Sequence, residues 1–206
     1  MNRSLDGTSA APMDLPMQAD KAFGLGIGAI IMVVSGFAWL GWGFSAAESF
    51  QPSEWIVFYV LTLVLLFFAI RAMRRARQLT RLLHRDGSKL WAAKRTRFLS
   101  TALFEGVGCG VVVLFAIVFH RMDLLAAGIS LVVAIHFFLL AGLMRFHLYF
   151  LPGIAILLVD IAGVAHFRGT EITLATATAT GVVLWLTALR ATVLSAKASQ
   201  NASATA

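Results

Sequence analysis

At 206 residues, 59% apolar, 13% charged and with a mean hydropathy of +0.84, the chain lies far from the soluble norm of about half apolar and a quarter charged. That composition excludes a soluble globular domain, and the apolar runs lack the strict alternation that a membrane barrel strand requires. The formal net charge of +7 would suggest nucleic acid in a soluble protein, but here its distribution along the chain has a topological explanation.

The expected fold class is all-α: a polytopic helical membrane protein with six transmembrane helices and both termini cytoplasmic. Residues 1–21, with Arg3, Asp6, Asp14, Asp20, Pro12 and Pro16, read as a flexible N-terminal tail. The apolar run behind them is too long for the h-region of a signal peptide, about 7–15 residues. Runs near 22–46, 54–72, 98–119, 124–144, 148–166 and 172–194 each approach the roughly 20 helical residues that cross a hydrocarbon core of about 30 Å. Helices also satisfy every backbone group within the segment, as lipid demands. The transmembrane domain thus fills 22–195, and the small, polar stretch 196–206 reads as a flexible C-terminal tail.

Gly24, Gly26 and Gly28 open the first helix, and Gly106, Gly108 and Gly110 occupy the first half of the third. Spacing of this kind lets helix backbones approach closely. It suits a homodimer through the glycine faces and hints at a hairpin repeat, with Pro152-Gly153 as a degenerate third copy. Trp39, Trp42 and Trp55 near the outer helix ends, and Trp91 and Tyr149 near the inner ones, are placed as interfacial anchors. Between helices 2 and 3, residues 71–97 place Met73, Ala76, Leu79 and Leu83 at helical spacing among Arg74, Arg75, Arg77 and Arg81. That pattern predicts helix 2 running on as an amphipathic surface helix, followed by a turn at Asp86-Gly87-Ser88. The four arginines are candidate contacts for anionic lipid or for a protein partner. Helix 6 carries Thr173, Thr176 and Thr180 on one face, with Thr178 and Gly181 beside it, which suits either a helix contact or a hydrated path.

Of the 17 Lys and Arg residues, only Arg121 and Arg168 fall on the side opposite the termini. The positive-inside rule therefore predicts cytoplasmic termini. Cys109 is the single cysteine, so neither an intrachain disulfide nor a cysteine zinc cage can form. No metal, nucleotide or cofactor motif is present, and a G-x-G-x-x-G phosphate loop is not credible without a preceding strand.

Three strongly ionisable side chains fall well inside the spans: Glu105, His136 and Asp160. Such groups are costly in lipid, at least about 2.5 kcal/mol for Asp on insertion scales, and mark function by default. Counting from the turn near Arg121–Met122 at 1.5 Å per residue places Glu105 and His136 within about 3 Å in height. Counting from the turn near Phe146–His147 places Asp160 about 4–5 Å further out. One polar cluster is the expectation. An imidazole beside a carboxylate favours its charged form while burial opposes charge on both, so such a pair can exchange a proton. No nucleophile with an oriented base accompanies them, which makes an enzyme the least favoured class.

Phe104-Glu105-Gly106, Ile135-His136-Phe137, Tyr149 and Gly153 together resemble an uncharacterised family of bacterial six-helix integral membrane proteins, a domain of unknown function, over about residues 22–190. Family members carry a Pro shortly after the His-Phe pair, where this chain has Leu139. The resemblance implies an inner-membrane protein and singles out Glu105 and His136. Two functions are expected in consequence: a small transporter or permease-like protein using Glu105, His136 and Asp160 for a proton or small polar solute, or a non-transporting membrane interaction protein such as a regulator, assembly factor or immunity-type binder. The first predicts a polar cavity joining the three residues.

Overall fold

The structure, a computed structural model, describes residues 14–47, 52–83, 88–144 and 147–204. Its helices are α1 (Asp14–Ala46), α2 (Pro52–Leu83), α3 (Ser88–Val118), α4 (Leu125–Met144), α5 (Phe150–His166) and α6 (Thr170–Ala204). All six are long and apolar enough to cross a membrane, and the described residues contain no strand. Short 3-10 turns, Met122–Leu124 and His147–Tyr149, lead into α4 and α5. The chain leaves α3 through His120, a non-glycine residue in the left-handed region at φ 53°.

α1 and α6 form the central antiparallel pair, with α2 packed across both of them. On the other side α6 meets α4 and α5, and α3 packs on α4. The result is a row of helices, not a ring. Glycines set the close approaches. A Cβ on Gly181 would lie 2.9 Å from the Leu40 nitrogen and 3.0 Å from the Gly36 carbonyl oxygen, so only glycine lets α1 and α6 come this near. The Trp185 indole N–H seals the same contact by donating to the Val33 carbonyl at 3.2 Å. Gly26 meets Met73 on α2, and Gly108 meets Val132 on α4. The middle glycine of each G-x-G-x-G thus packs on the following helix, whereas Gly153 packs on the preceding one, against Phe138 and Ala134.

Both ends of the chain depart from the expected flexible tails. α1 begins at Asp14 and α6 runs on to Ala204, so residues 14–21 and 196–204 are helical. At about 50, 48 and 52 Å, α1, α2 and α6 far exceed α4 and α5, at about 30 and 26 Å. Contacts fix the level at which they overshoot. Gly28 lies against the Tyr149 hydroxyl, where α5 begins, and everything before Gly28 on α1 projects past that level. Thr80 donates to the Ala19 carbonyl at 3.4 Å, and Ser195 donates to that of Ala22 at 2.8 Å. Ala19, Ala22, Ala72, Ala76, Ser195 and Ser199 are all buried there. Small side chains let three helices pack tightly, and helix order in these segments comes from that packing, since isolated helices this short are marginal. In the α2 extension, of the expected apolar positions Ala76 is buried, Met73 and Leu79 are half-buried and the Leu83 side chain lies outside the described residues, while Arg71, Arg74, Arg75, Arg77 and Arg81 are exposed; the segment packs against α1. Asp86 and Gly87 of the expected Asp86-Gly87-Ser88 turn lie outside the described residues, and Ser88 opens α3.

Two expected anchors are core residues instead. Trp39 and Tyr149 are 8% and 7% exposed and belong to the main apolar cluster with Met32, Phe137, Ile156 and Leu184. Trp42 stacks on Trp39 at 5.4 Å between ring centroids, and Trp55 meets Phe44 and Phe58 edge-on. The large ring surfaces are worth more against neighbouring helices than at the interface. The side chain of Trp91 lies outside the described residues.

Candidate functional site

α3 and α4 are held in register by two reciprocal contacts: a Cβ at Gly108 would meet Val132, and one at Gly128 would meet Val112. Moving three residues from Gly108 toward Glu105, and the matching distance along antiparallel α4, arrives at residue 135, beside His136. The two side chains meet as expected, with His136 Nδ1 3.4 Å from Glu105 Oε2. The contact has ion-pair distance without hydrogen-bond geometry, and His136 Nδ1 has no other partner. The pair is asymmetric: His136 is enclosed at 13% side-chain exposure, and Glu105 is 35% exposed. Access therefore comes from the α3 side.

One turn toward the termini, an open cleft of about 570 Å³ runs between α3 and α4, lined by Ser100, Thr101, Phe104, Phe138, Leu139 and Gly142. Thr101 lies one turn from Glu105, and Leu139 lies one turn from His136. The cleft is mostly apolar, with a polar edge at Ser100 and Thr101.

Asp160 does not join them. It is 6% exposed and accepts a hydrogen bond from Ser130 on α4, whose hydroxyl also lies 3.0 Å from the Ala127 carbonyl. Ser130 and His136 are six residues apart, about 9 Å along the axis and about a third of a turn around it. The step is twice the expected height difference, because α5 packs on α4 in the register set by Gly153 against Ala134 and Phe138. Asp160 Oδ2 has no partner, nor has Thr180 Oγ1. Gly163 against Thr176 sets α5 on α6, and one turn on from each brings Asp160 and Thr180 to the same depth. Sequence reasoning missed Ser130, although a serine in an otherwise apolar helix was the available signal.

The threonines of α6 are packing residues. Thr176 donates back to the Ile172 carbonyl at 2.7 Å and seats on Gly163, and Thr178 seats on Gly43. Thr176 and Thr180 are fully buried, which fits the helix-contact reading and not the hydrated path. The α3–α4 cleft has none of Glu105, His136 and Asp160 in its lining. Nor do three or more His, Cys, Asp or Glu side chains converge there as a metal set would. On the far rim Arg121 pairs with Asp123 through two 3.1 Å bonds, which push the exposed guanidinium further above its ordinary range.

No family model, curated protein or solved structure matches this chain.

Proposed function

We propose that this is a multi-pass protein of the bacterial cytoplasmic membrane, termini inside, in which Glu105 and His136 hold a proton or the polar group of a small solute, as in a small transporter or permease-like protein. The carrying observation is the apposition of the two side chains at 3.4 Å, with Glu105 35% exposed. Intramembrane charge is costly enough that a partly accessible pair favours use over mere packing. The concentration of Lys and Arg on the termini side supports the orientation. Asp160, sealed against Ser130, is assigned a structural role in α4–α5 packing and no longer extends the path.

Thermal unfolding of wild type, Glu105→Gln and His136→Ala in detergent, across pH and a panel of ions, metabolites and lipids, tests the reading. A pH- or ligand-dependent stabilisation of wild type that disappears in both folded variants is expected. Absence of any such response in wild type refutes it and favours the second reading, a non-transporting interaction protein. That reading draws on α3, which packs on α4 and exposes Leu103, Val107, Val111 and Leu114.

A further inference from the structure

We infer that the lateral face of α2 binds an anionic phospholipid of the leaflet on the termini side, its phosphate held by Arg71, Arg74 and Arg75 and an acyl chain lying along Val60, Val64 and Phe67. The inference concerns a surface remote from Glu105 and His136 and goes beyond the function proposed above.

These six residues follow the spacing of one helix face. Val60, Val64, Phe67, Arg71, Arg74 and Arg75 succeed one another by one, three or four residues, so their side chains form a continuous stripe. All six are exposed, with Val60, Val64 and Phe67 at 54%, 44% and 59%. The opposite face carries Ala69, Ala72 and Ala76, buried against neighbouring helices, which aims the stripe directly away from the bundle.

Depth identifies the occupant. α1 and α2 are antiparallel, and Gly26 lies against Met73, so Arg71 stands level with Gly28. Gly28 in turn touches Tyr149, where α5 begins. The first arginine therefore sits at the boundary of the apolar layer, and α2 is uncharged from Trp55 to Ile70 above it. An amphiphile laid against this face meets apolar side chains along its chain and guanidinium groups at its phosphate. A soluble acidic partner would have no use for the apolar half.

Charge agrees. Among the described residues, Arg71, Arg74 and Arg75 make no ion pair or side-chain hydrogen bond within the chain. Their donors are free for a planar, two-oxygen grip on phosphate, which guanidinium provides and ammonium does not.

The test is a titration of the purified full chain in detergent with phosphatidylglycerol or phosphatidylcholine, bound lipid being counted by native mass spectrometry. Wild type is expected to prefer phosphatidylglycerol. The combined variant Arg71→Gln, Arg74→Gln, Arg75→Gln should lose that affinity about a hundredfold, at roughly one order of magnitude or less per surface arginine. The combined Arg→Lys variant, which keeps the charges that set topology and so protects against misfolding, should lose up to about tenfold through the missing fork geometry. Arg190→Gln, an exposed arginine of α6 off the stripe, should bind as wild type. Equal binding of the two lipids, a triple Gln variant that binds as wild type, or an Arg190→Gln loss as large as the triple would each overturn the assignment. Displacement of the lipid by inorganic phosphate would reassign the site to free anions. Displacement by a polyglutamate peptide, with no lipid preference, would reassign it to an acidic protein.

Discussion

The Glu105–His136 contact carries a measurable coupling, and its size separates the possible environments. At 3.4 Å two unit charges attract by about 5 kcal/mol at an effective dielectric of about 20, before any desolvation cost. Two structural facts reduce that figure. The contact lacks hydrogen-bond geometry, and His136 must give up solvation to keep it. Polar pairs between membrane helices average about 0.6 kcal/mol and reach about 1.7 in double-mutant cycles, and a pair as close as this one belongs near the top of that range. A cycle of Glu105→Gln, His136→Ala and the double variant, unfolded by SDS in mixed micelles, should therefore return a coupling of about 1–2 kcal/mol. α3 packs chiefly on α4, so the loss should show as early release of α3, read by a fluorophore at Cys109, the single cysteine. A coupling below about 0.3 kcal/mol would mean that the two groups do not sense each other. One above about 4 would mean a dry, closed pair of the buried-ion kind; either result refutes the accessible site argued here.

Two further outcomes follow from packing. Gly181→Ala places its methyl carbon within 3.0 Å of Leu40 and Gly36 backbone atoms, whereas Gly110→Ala meets nothing within 4 Å. The first should cost about 1–3 kcal/mol and the second nothing measurable or a small gain, by the same SDS titration. Asp160→Ala removes one hydrogen bond worth about 1 kcal/mol together with a partnerless buried oxygen costing about 1–3, so stability should stay level or rise by up to about 2 kcal/mol. Ser130→Ala instead leaves the whole carboxylate unpaired and should cost about 2–3 kcal/mol; the reverse ranking in thermal unfolding would show that Asp160 has a partner other than Ser130.

Particular residues show where sequence reasoning reached its end. The level match of Glu105 and His136 was legible because a short turn between antiparallel helices converts residue counts into heights. Asp160 was not, since its height depends on how far α5 slides along α4, and that slide is fixed by a glycine–phenylalanine contact between residues 15 apart, Gly153 and Phe138. The anchor reading of Trp39 and Tyr149 failed for a similar reason. Position near a helix end says where a ring sits in depth, and only the neighbouring helices decide whether it faces lipid or core.

By itself the chain determined that six helices form, each long and apolar enough to cross a membrane, and that Lys and Arg gather in alternate gaps between them, because those properties depend on local hydropathy and charge count. It also determined that α2 outlasts its apolar stretch as an amphipathic helix. Tertiary structure alone decided that α1 and α6 are central and α3 peripheral, that 14–21 and 196–204 join α2 in a helical projection, and that the polar groups divide into an accessible pair and a sealed one. The physical reason is common to all of these. Helix faces are assigned by side-chain fit between segments far apart in sequence, and in lipid every one of those faces is apolar, so hydropathy cannot tell a face that meets protein from one that meets the bilayer.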